Sequence, residues 1–208
     1  MIDPRVEAYA DSLTTPPADD VVRLDRAARQ ELPYAAMLSG PVVGRLLETL
    51  VWLERPRLVL ELGTYAGTSA LAMAGALPEG GRIITCELSD EHADFAQRAF
   101  DASPLGRRIE LRRGPALESI AAIDEPIDFC FIDADKPSYT DYYEAVLPKL
   151  SEHGLIAADN TLRDGSVLDP DDEGGRTMDA FNRHVAADPR TVQVLLTVRD
   201  GVTLIRRA

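Results

Sequence analysis

Only two cysteines, one tryptophan and three histidines occur in this 208-residue chain, and its 22 lysines and arginines are outnumbered by 35 acidic residues. Each shortage excludes something. Two cysteines do not make a disulfide-stapled scaffold; Cys86 and Cys130 each lie inside an apolar run that reads as a buried strand, where a thiol behaves as a small hydrophobe. His92, His153 and His184 share no metal-ligand spacing and sit in polar stretches, so all three are expected at the surface. A formal charge of −13 makes a basic face for neutralising phosphates hard to build, which argues against nucleic acid as a partner. No apolar run approaches the roughly 18 residues of a membrane span, and "MIDPRVEAYADSL" lacks a basic region followed by an apolar one. No membrane partner is expected, and the cytoplasm is the expected compartment.

What is present reads as one domain over residues 1–208, with helices over 1–56 covering an α/β core over 57–208. After residue 57, short β-branched runs alternate with longer helical patterns, the signature of a parallel sheet with crossover helices. Strands are expected at 57–62, 82–88, 108–114, 127–134 and 154–160, and helices near 67–77, 90–102, 115–122 and 138–150. "TVQVLLTV" and "GVTLIRR" are separated only by "RD", so they read as an antiparallel hairpin closing the sheet. In the N-terminal part, "PYAAMLSGPVVGRLLETLVWL" is the most apolar helical stretch and Trp52 is expected in the core. Arg23, Arg26 and Arg29 share one helical stripe that reads as a solvated face, and the Gly- and Asp-rich 163–176 reads as a mobile surface loop.

Ligands of open α/β sheets bind beyond the carboxyl ends of the strands, and the unusual residues of this chain cluster there. The first strand runs into "ELGTYAGTS", where Gly63 and Gly67 permit a tight turn and Thr68 or Ser69 opens the next helix. This is not the GxGxxG of dinucleotide binding, and a helix start here suits a carboxylate as well as a phosphate. The second strand ends in Glu87, placed to accept hydrogen bonds from both ribose hydroxyls of a nucleoside or, equally, to cap a helix. A nucleoside cofactor with a free 2′-hydroxyl follows, and nicotinamide and S-adenosylmethionine both fit. Asp133 closes the fourth strand and Asp159-Asn160 the fifth; if those strands are neighbours, three oxygen ligands converge into a hard site for Mg²⁺, Ca²⁺ or Mn²⁺. Turn chemistry is the competing explanation for each of these residues alone.

"ELGTYAGTSALAMAGALPEGGRIITCE", "FIDADKPSYTDYY", "GLIAADNTLRDGSV" and "DGVTLIRR" together resemble the cation-dependent O-methyltransferases, the family of caffeoyl-CoA and catechol O-methyltransferases and their bacterial relatives. The resemblance runs from about residue 33 to the C-terminus. It implies a Rossmann-like class I methyltransferase fold, a seven-stranded mainly parallel sheet with an antiparallel last strand, and a homodimer. It also implies S-adenosylmethionine contacts from Ser39, Glu61, Gly63, Thr64, Ser69, Glu87, Ala116 and Asp135. Of these, Ser69 would meet the methionine carboxylate, Glu87 the ribose, Ala116 the adenine and Asp135 the methionine ammonium. Asp133, Asp159 and Asn160 match the metal ligands, with Mg²⁺ the first choice, and Lys136 matches the general base. Two stretches depart from the family pattern: Arg163 and Asp164 follow "DNTL" where relatives read "DNTLW", and "LLTVRDG" replaces "LLPxGDG".

The implied reaction is transfer of a methyl group from S-adenosylmethionine to a hydroxyl of an ortho-dihydroxy aromatic small molecule. A phenol is mostly neutral at pH 7, and chelation of an ortho-diol by a divalent cation would acidify and orient it, with Lys136 accepting the proton. Hydroxycinnamoyl-CoA thioesters are an alternative substrate class, which the acidic 163–176 stretch and the net charge disfavour mildly. Two other readings stand beside this one. A nicotinamide oxidoreductase lacks its glycine fingerprint here, and a non-catalytic S-adenosylmethionine-binding protein would have no use for Asp133, Lys136, Asp159 and Asn160.

Overall fold

Aliphatic runs buried on both faces require a sheet with helices on either side. The structure, a computed structural model describing residues 3–34 and 37–208, is built that way. Strands β1 (Leu58–Leu62), β2 (Arg82–Glu87), β3 (Ile109–Arg113), β4 (Ile127–Ile132), β5 (Leu150–Asp159), β6 (Thr191–Leu196) and β7 (Val202–Arg207) form one seven-stranded sheet in the order β3-β2-β1-β4-β5-β7-β6. Neighbours pair in parallel except at β7, which is antiparallel to both β5 and β6. The expected parallel sheet with an antiparallel last strand is therefore borne out.

The helices are α1 (Pro4–Leu13), α2 (Asp19–Glu31), α3 (Gly40–Glu54), α4 (Thr68–Ala76), α5 (Asp90–Asp101), α6 (Ala116–Ala121), α7 (Tyr139–Val146) and α8 (Glu173–Ala187). Strand periodicity decides which layer each residue joins. Leu58, Leu60 and Leu62 of β1 pack with Ile120, Tyr139, Tyr143, Met178 and Phe181 from α6, α7 and α8. Val59 points the other way, with Phe129 and Phe131 of β4, onto Val43, Leu47 and Val51 of α3. Those three α3 residues recur every four positions and bury fully, contributing roughly 1.5–3 kcal/mol each.

Trp52 lies about 100° around the helix from Val51, and it is 65% exposed rather than in the core as expected. The helix also starts later than the apolar stretch suggests, at Gly40; of the residues before it, 35 and 36 lie outside the described part of the chain. On α2, Arg23, Arg26 and Arg29 are exposed while Val21, Leu24 and Ala28 are buried, as the stripe implies. Cys86 and Cys130 are free and buried. Among the described residues no helix is long and apolar enough to cross a membrane.

Two connections differ from expectation. The β6–β7 connection spans 197–201 instead of two residues, because its backbone is drawn to the exit of β5: Thr161 N–H donates to the Gly201 carbonyl (3.1 Å) and Leu162 N–H to that of Asp200 (2.8 Å). The stretch 163–176 is not an open loop, since 163–168 form 3-10 turns and α8 begins at Glu173, where the Asp172 side chain caps the Gly175 N–H.

The chain winds outward from β1 through β2 to β3, then returns to place β4 on the other side of β1. That reversal opens a crevice at the carboxyl ends of β1 and β4. Gly63 stands in it at φ 94, and any side chain there would collide with the Asp133 carbonyl, so glycine lets the two strand ends close up.

Candidate active site

A cavity of about 930 Å³ lies above the carboxyl ends of β1, β2, β4 and β5. Ser39, Gly63, Thr64, Ser69, Glu87, Ala116, Asp133, Asp135, Lys136, Asp159 and Asn160 all line it. Glu61 does not: the period-2 register turns it toward α4, where it is fully buried behind Ser69.

At one end, Glu87 is held as an acceptor by three backbone amides: Thr64 N–H (3.3 Å) and Tyr65 N–H (2.7 Å) on Oε2, and Ser89 N–H (2.9 Å) on Oε1. The amides orient the carboxylate without neutralising it. Ser69 opens α4 after Gly67 at φ 85, and its hydroxyl donates to Glu61 Oε1 at 2.6 Å; the Thr85 hydroxyl donates to Oε2. Between the two ends, the Asp135 carboxylate accepts hydrogen bonds from the Tyr142 and Ser138 hydroxyls.

Burial pushes the Glu61 carboxyl up from 4.5 to about 7, against the lowering effect of the Ser69 and Thr85 hydrogen bonds. The folded protein thus holds this proton more tightly than the unfolded chain, so Glu61 subtracts stability as pH rises from about 4.5 to about 7, with the full loss above that. Glu61→Gln, uncharged throughout, should lose about 1–3 kcal/mol less stability than wild type between pH 5 and pH 8, measured by urea unfolding of the cofactor-free protein. Equal losses would mean that Glu61 ionises freely in its pocket.

At the other end, β4 and β5 are neighbours, with Ile132 in register with Ala158, so Asp133 and Asp159 leave the sheet side by side. The Lys136 ammonium donates to Asp133 Oδ1 (2.9 Å), Asn160 Oδ1 (2.7 Å) and the Tyr139 hydroxyl (2.7 Å). Asn160 adopts φ 56, and its N–H donates to Asp159 Oδ1 at 2.8 Å. Asp159 is 3% exposed; burial, then the neighbouring Asp133 charge, holds its carboxyl above the usual carboxylate range. The Asp133 carboxylate and the Asn160 amide oxygen already converge on the chain's own ammonium, and the adjoining Asp159 carboxylate has no cationic partner in ion-pair contact among the described residues. The donor set therefore fits a hard divalent cation.

Several residues in or behind the cavity wall take positions that the sequence did not reveal. Tyr139 is fully buried yet accepts from Lys136 and donates to the Asp159 carbonyl at 3.0 Å. Its phenol is pushed well above its usual value by burial, so it remains a donor. Tyr142 reaches Asp135 from one helical turn further on; the i, i+3 spacing within "YTDYY" was the available signal. His92 departs from the surface placement expected of it: it lines the cavity edge-on to Tyr65, ring centroids 4.8 Å apart, while His153 and His184 are exposed. Arg163 and Arg199 also line the cavity.

Comparison with known proteins identifies the family. Residues 18–208 match the profile of the O-methyltransferase family. The chain is 37% identical over 198 residues to a catechol O-methyltransferase of Niastella koreensis, covering 89% of each chain. It is likewise 37% identical over 189 residues to caffeoyl-CoA O-methyltransferase 2 of Zea mays, covering 84% of this chain and 72% of the relative. The SAH-bound methyltransferase PaMTH1 of Podospora anserina superposes with a TM-score of 0.92 at 29% identity, covering 99% of this chain and 94% of that one. The match over nearly the whole chain, on a sheet with this strand order and this cavity, means that the protein belongs to the O-methyltransferase family and is an S-adenosylmethionine-dependent O-methyltransferase.

Proposed function

We propose that this enzyme methylates a hydroxyl of a catechol-like, ortho-dihydroxy aromatic small molecule with the aid of a divalent cation, Mg²⁺ being the best fit and Ca²⁺ or Mn²⁺ the alternatives. One observation carries the reading: Asp133, Lys136 and Asn160 meet at one end of the cavity whose other end presents Glu87. Glu87 accepts from the ribose hydroxyls, the start of α4 at Ser69 receives the methionine carboxylate, and Asp135 faces the methionine ammonium. Ala116 lines the adenine, while Ser39, Gly63 and Thr64 complete the wall. Glu61 acts through Ser69, as a positioning residue.

Asp133, Asp159 and Asn160 would hold the cation. When bound, it acidifies and orients a phenolic hydroxyl. Lys136, acting as the free amine, accepts the hydroxyl proton on Nζ and becomes the ammonium, and Tyr139 keeps that nitrogen aimed. The phenolic oxygen then bonds to the methyl carbon as the carbon–sulfur bond breaks, the electron pair staying on sulfur. Cofactor and substrate contacts hold the two atoms in line.

Residues 37–39 and Val43 form part of the cavity wall, which supports the N-terminal segment as a cover on the α/β core. A cytoplasmic homodimer belongs to the same proposal by likeness to the family. A hydroxycinnamoyl-CoA substrate is the second reading, favoured by the similarity to the maize protein. The decisive experiment is transfer of a labelled methyl group to a panel of simple ortho-diols, with Mg²⁺ and with chelator. Labelled product that disappears with chelator is expected; product that persists would remove the cation from the mechanism.

A further inference from the structure

Four non-glycine residues with left-handed backbone crowd the exit of β5 and the β6–β7 loop: Asn160 (φ 56), Arg163 (φ 48), Asp164 (φ 51) and Arg199 (φ 46). Asparagine and aspartate tolerate that conformation through local hydrogen bonds, whereas glycine would occupy either arginine position with less strain. Backbone geometry does not account for Arg163 and Arg199. Hydrogen bonds from Thr161 and Leu162 to Gly201 and Asp200 join the two loops, so both arginines flank the Asp159–Asn160 end of the cavity, and both form part of its wall.

Neither arginine has a carboxylate within ion-pair distance among the described residues, although the chain carries 35 acidic residues to 22 basic ones. Arg199 Nη1 donates only to the backbone carbonyls of Leu38 and Ser39. The Arg163 side chain rests against the first turn of α8, where the lack of a side chain at Gly174 makes room for it. Asp200, the neighbouring carboxylate on the wall, is engaged by the Asp164 N–H. Lys136, by contrast, is taken up by Asp133 and Asn160. Both arginines therefore stand in the cavity wall with guanidinium N–H groups that no carboxylate among the described residues takes up, and guanidinium pairs with planar or tetrahedral oxyanions.

We propose that Arg163 and Arg199 select ortho-dihydroxy aromatic substrates that carry an anionic group, carboxylate or phosphate, away from the reacting hydroxyls. The inference rests on the catechol-type reading above and narrows it. To test it, the enzyme holding SAH and Mg²⁺ is titrated calorimetrically with 3,4-dihydroxybenzoate, catechol and a dihydroxyphenethylamine, and the three are compared as methyl acceptors. The acid should bind about tenfold more tightly than catechol, and the amine more weakly than either. Arg163→Met and Arg199→Met should each reduce the acid's advantage several-fold, with Arg163→Lys keeping part of it. Melting temperatures identify any variant that loses packing; exposed Arg199 keeps the test decisive if Arg163→Met does so.

Caffeate against caffeoyl-CoA separates the two sources of charge, since preference for the free acid assigns a carboxylate and preference for the thioester assigns phosphate. Equal binding of acid and catechol, or an advantage that survives both substitutions, overturns the proposal and leaves the methyltransferase reading standing. Failure to bind or methylate any diol removes the catechol reading and this inference with it.

Discussion

Lys136→Met should lower kcat by about 10²–10⁴-fold while changing substrate KM little, the range expected when a positioned general base is lost. The methionine keeps the length and apolar stem of the side chain but removes the nitrogen that touches Asp133, Asn160 and Tyr139. A lysine that merely braced the Asp133 carboxylate would show its loss as reduced stability, with kcat restored once Mg²⁺ supplies positive charge. A base shows its loss in kcat at saturating Mg²⁺ and in a flattened pH–rate profile. Wild-type kcat in the variant would place proton removal on another group.

If the proposed cation site is right, Mg²⁺ should raise the melting temperature of the wild-type protein, and Asp159→Ala should abolish both that rise and Mg²⁺-stimulated turnover. A ligand present at about 100 times its Kd stabilises the folded state by about 2.7 kcal/mol, so the thermal shift is a direct readout that needs no turnover. SAH affinity should remain within about twofold, because the residues proposed to hold the nucleoside, Glu87 and Ala116, lie on β2 and at the start of α6 rather than on β5. The same variant also removes the buried one of two neighbouring carboxylates, so the metal-free protein should be no less stable than wild type beyond the loss of packing. An unchanged Mg²⁺ shift would dismiss Asp159 as a ligand.

The strand ends that carry Gly63, Glu87, Asp133 and Asp159 were readable because apolar runs of five or six residues stop where polar residues begin, a purely local signal. Trp52 was misplaced because a helix can bury only one stripe, and Val43, Leu47 and Val51 already occupy it. The β6–β7 loop was misjudged because its length answers to hydrogen bonds with residues 161 and 162, nearly 40 positions away. The hydrogen bonds of Tyr139 and Tyr142 were not readable in the helical spacing of the tyrosines, since spacing does not reveal what a phenolic hydroxyl will reach.

Sequence by itself determined the α/β alternation, the antiparallel ending and the residues at the strand ends, because each depends on side-chain period and turn chemistry within about ten residues. Tertiary structure alone decided that β4 lies between β1 and β5, and so that Asp133, Lys136 and Asn160 share one point. It also decided that Glu61 faces α4 rather than the cavity and that two arginines with no ion pair among the described residues join the cavity wall. Strand order and the direction of a side chain across a crevice arise from packing among segments distant in the chain, and local patterns carry no term for either.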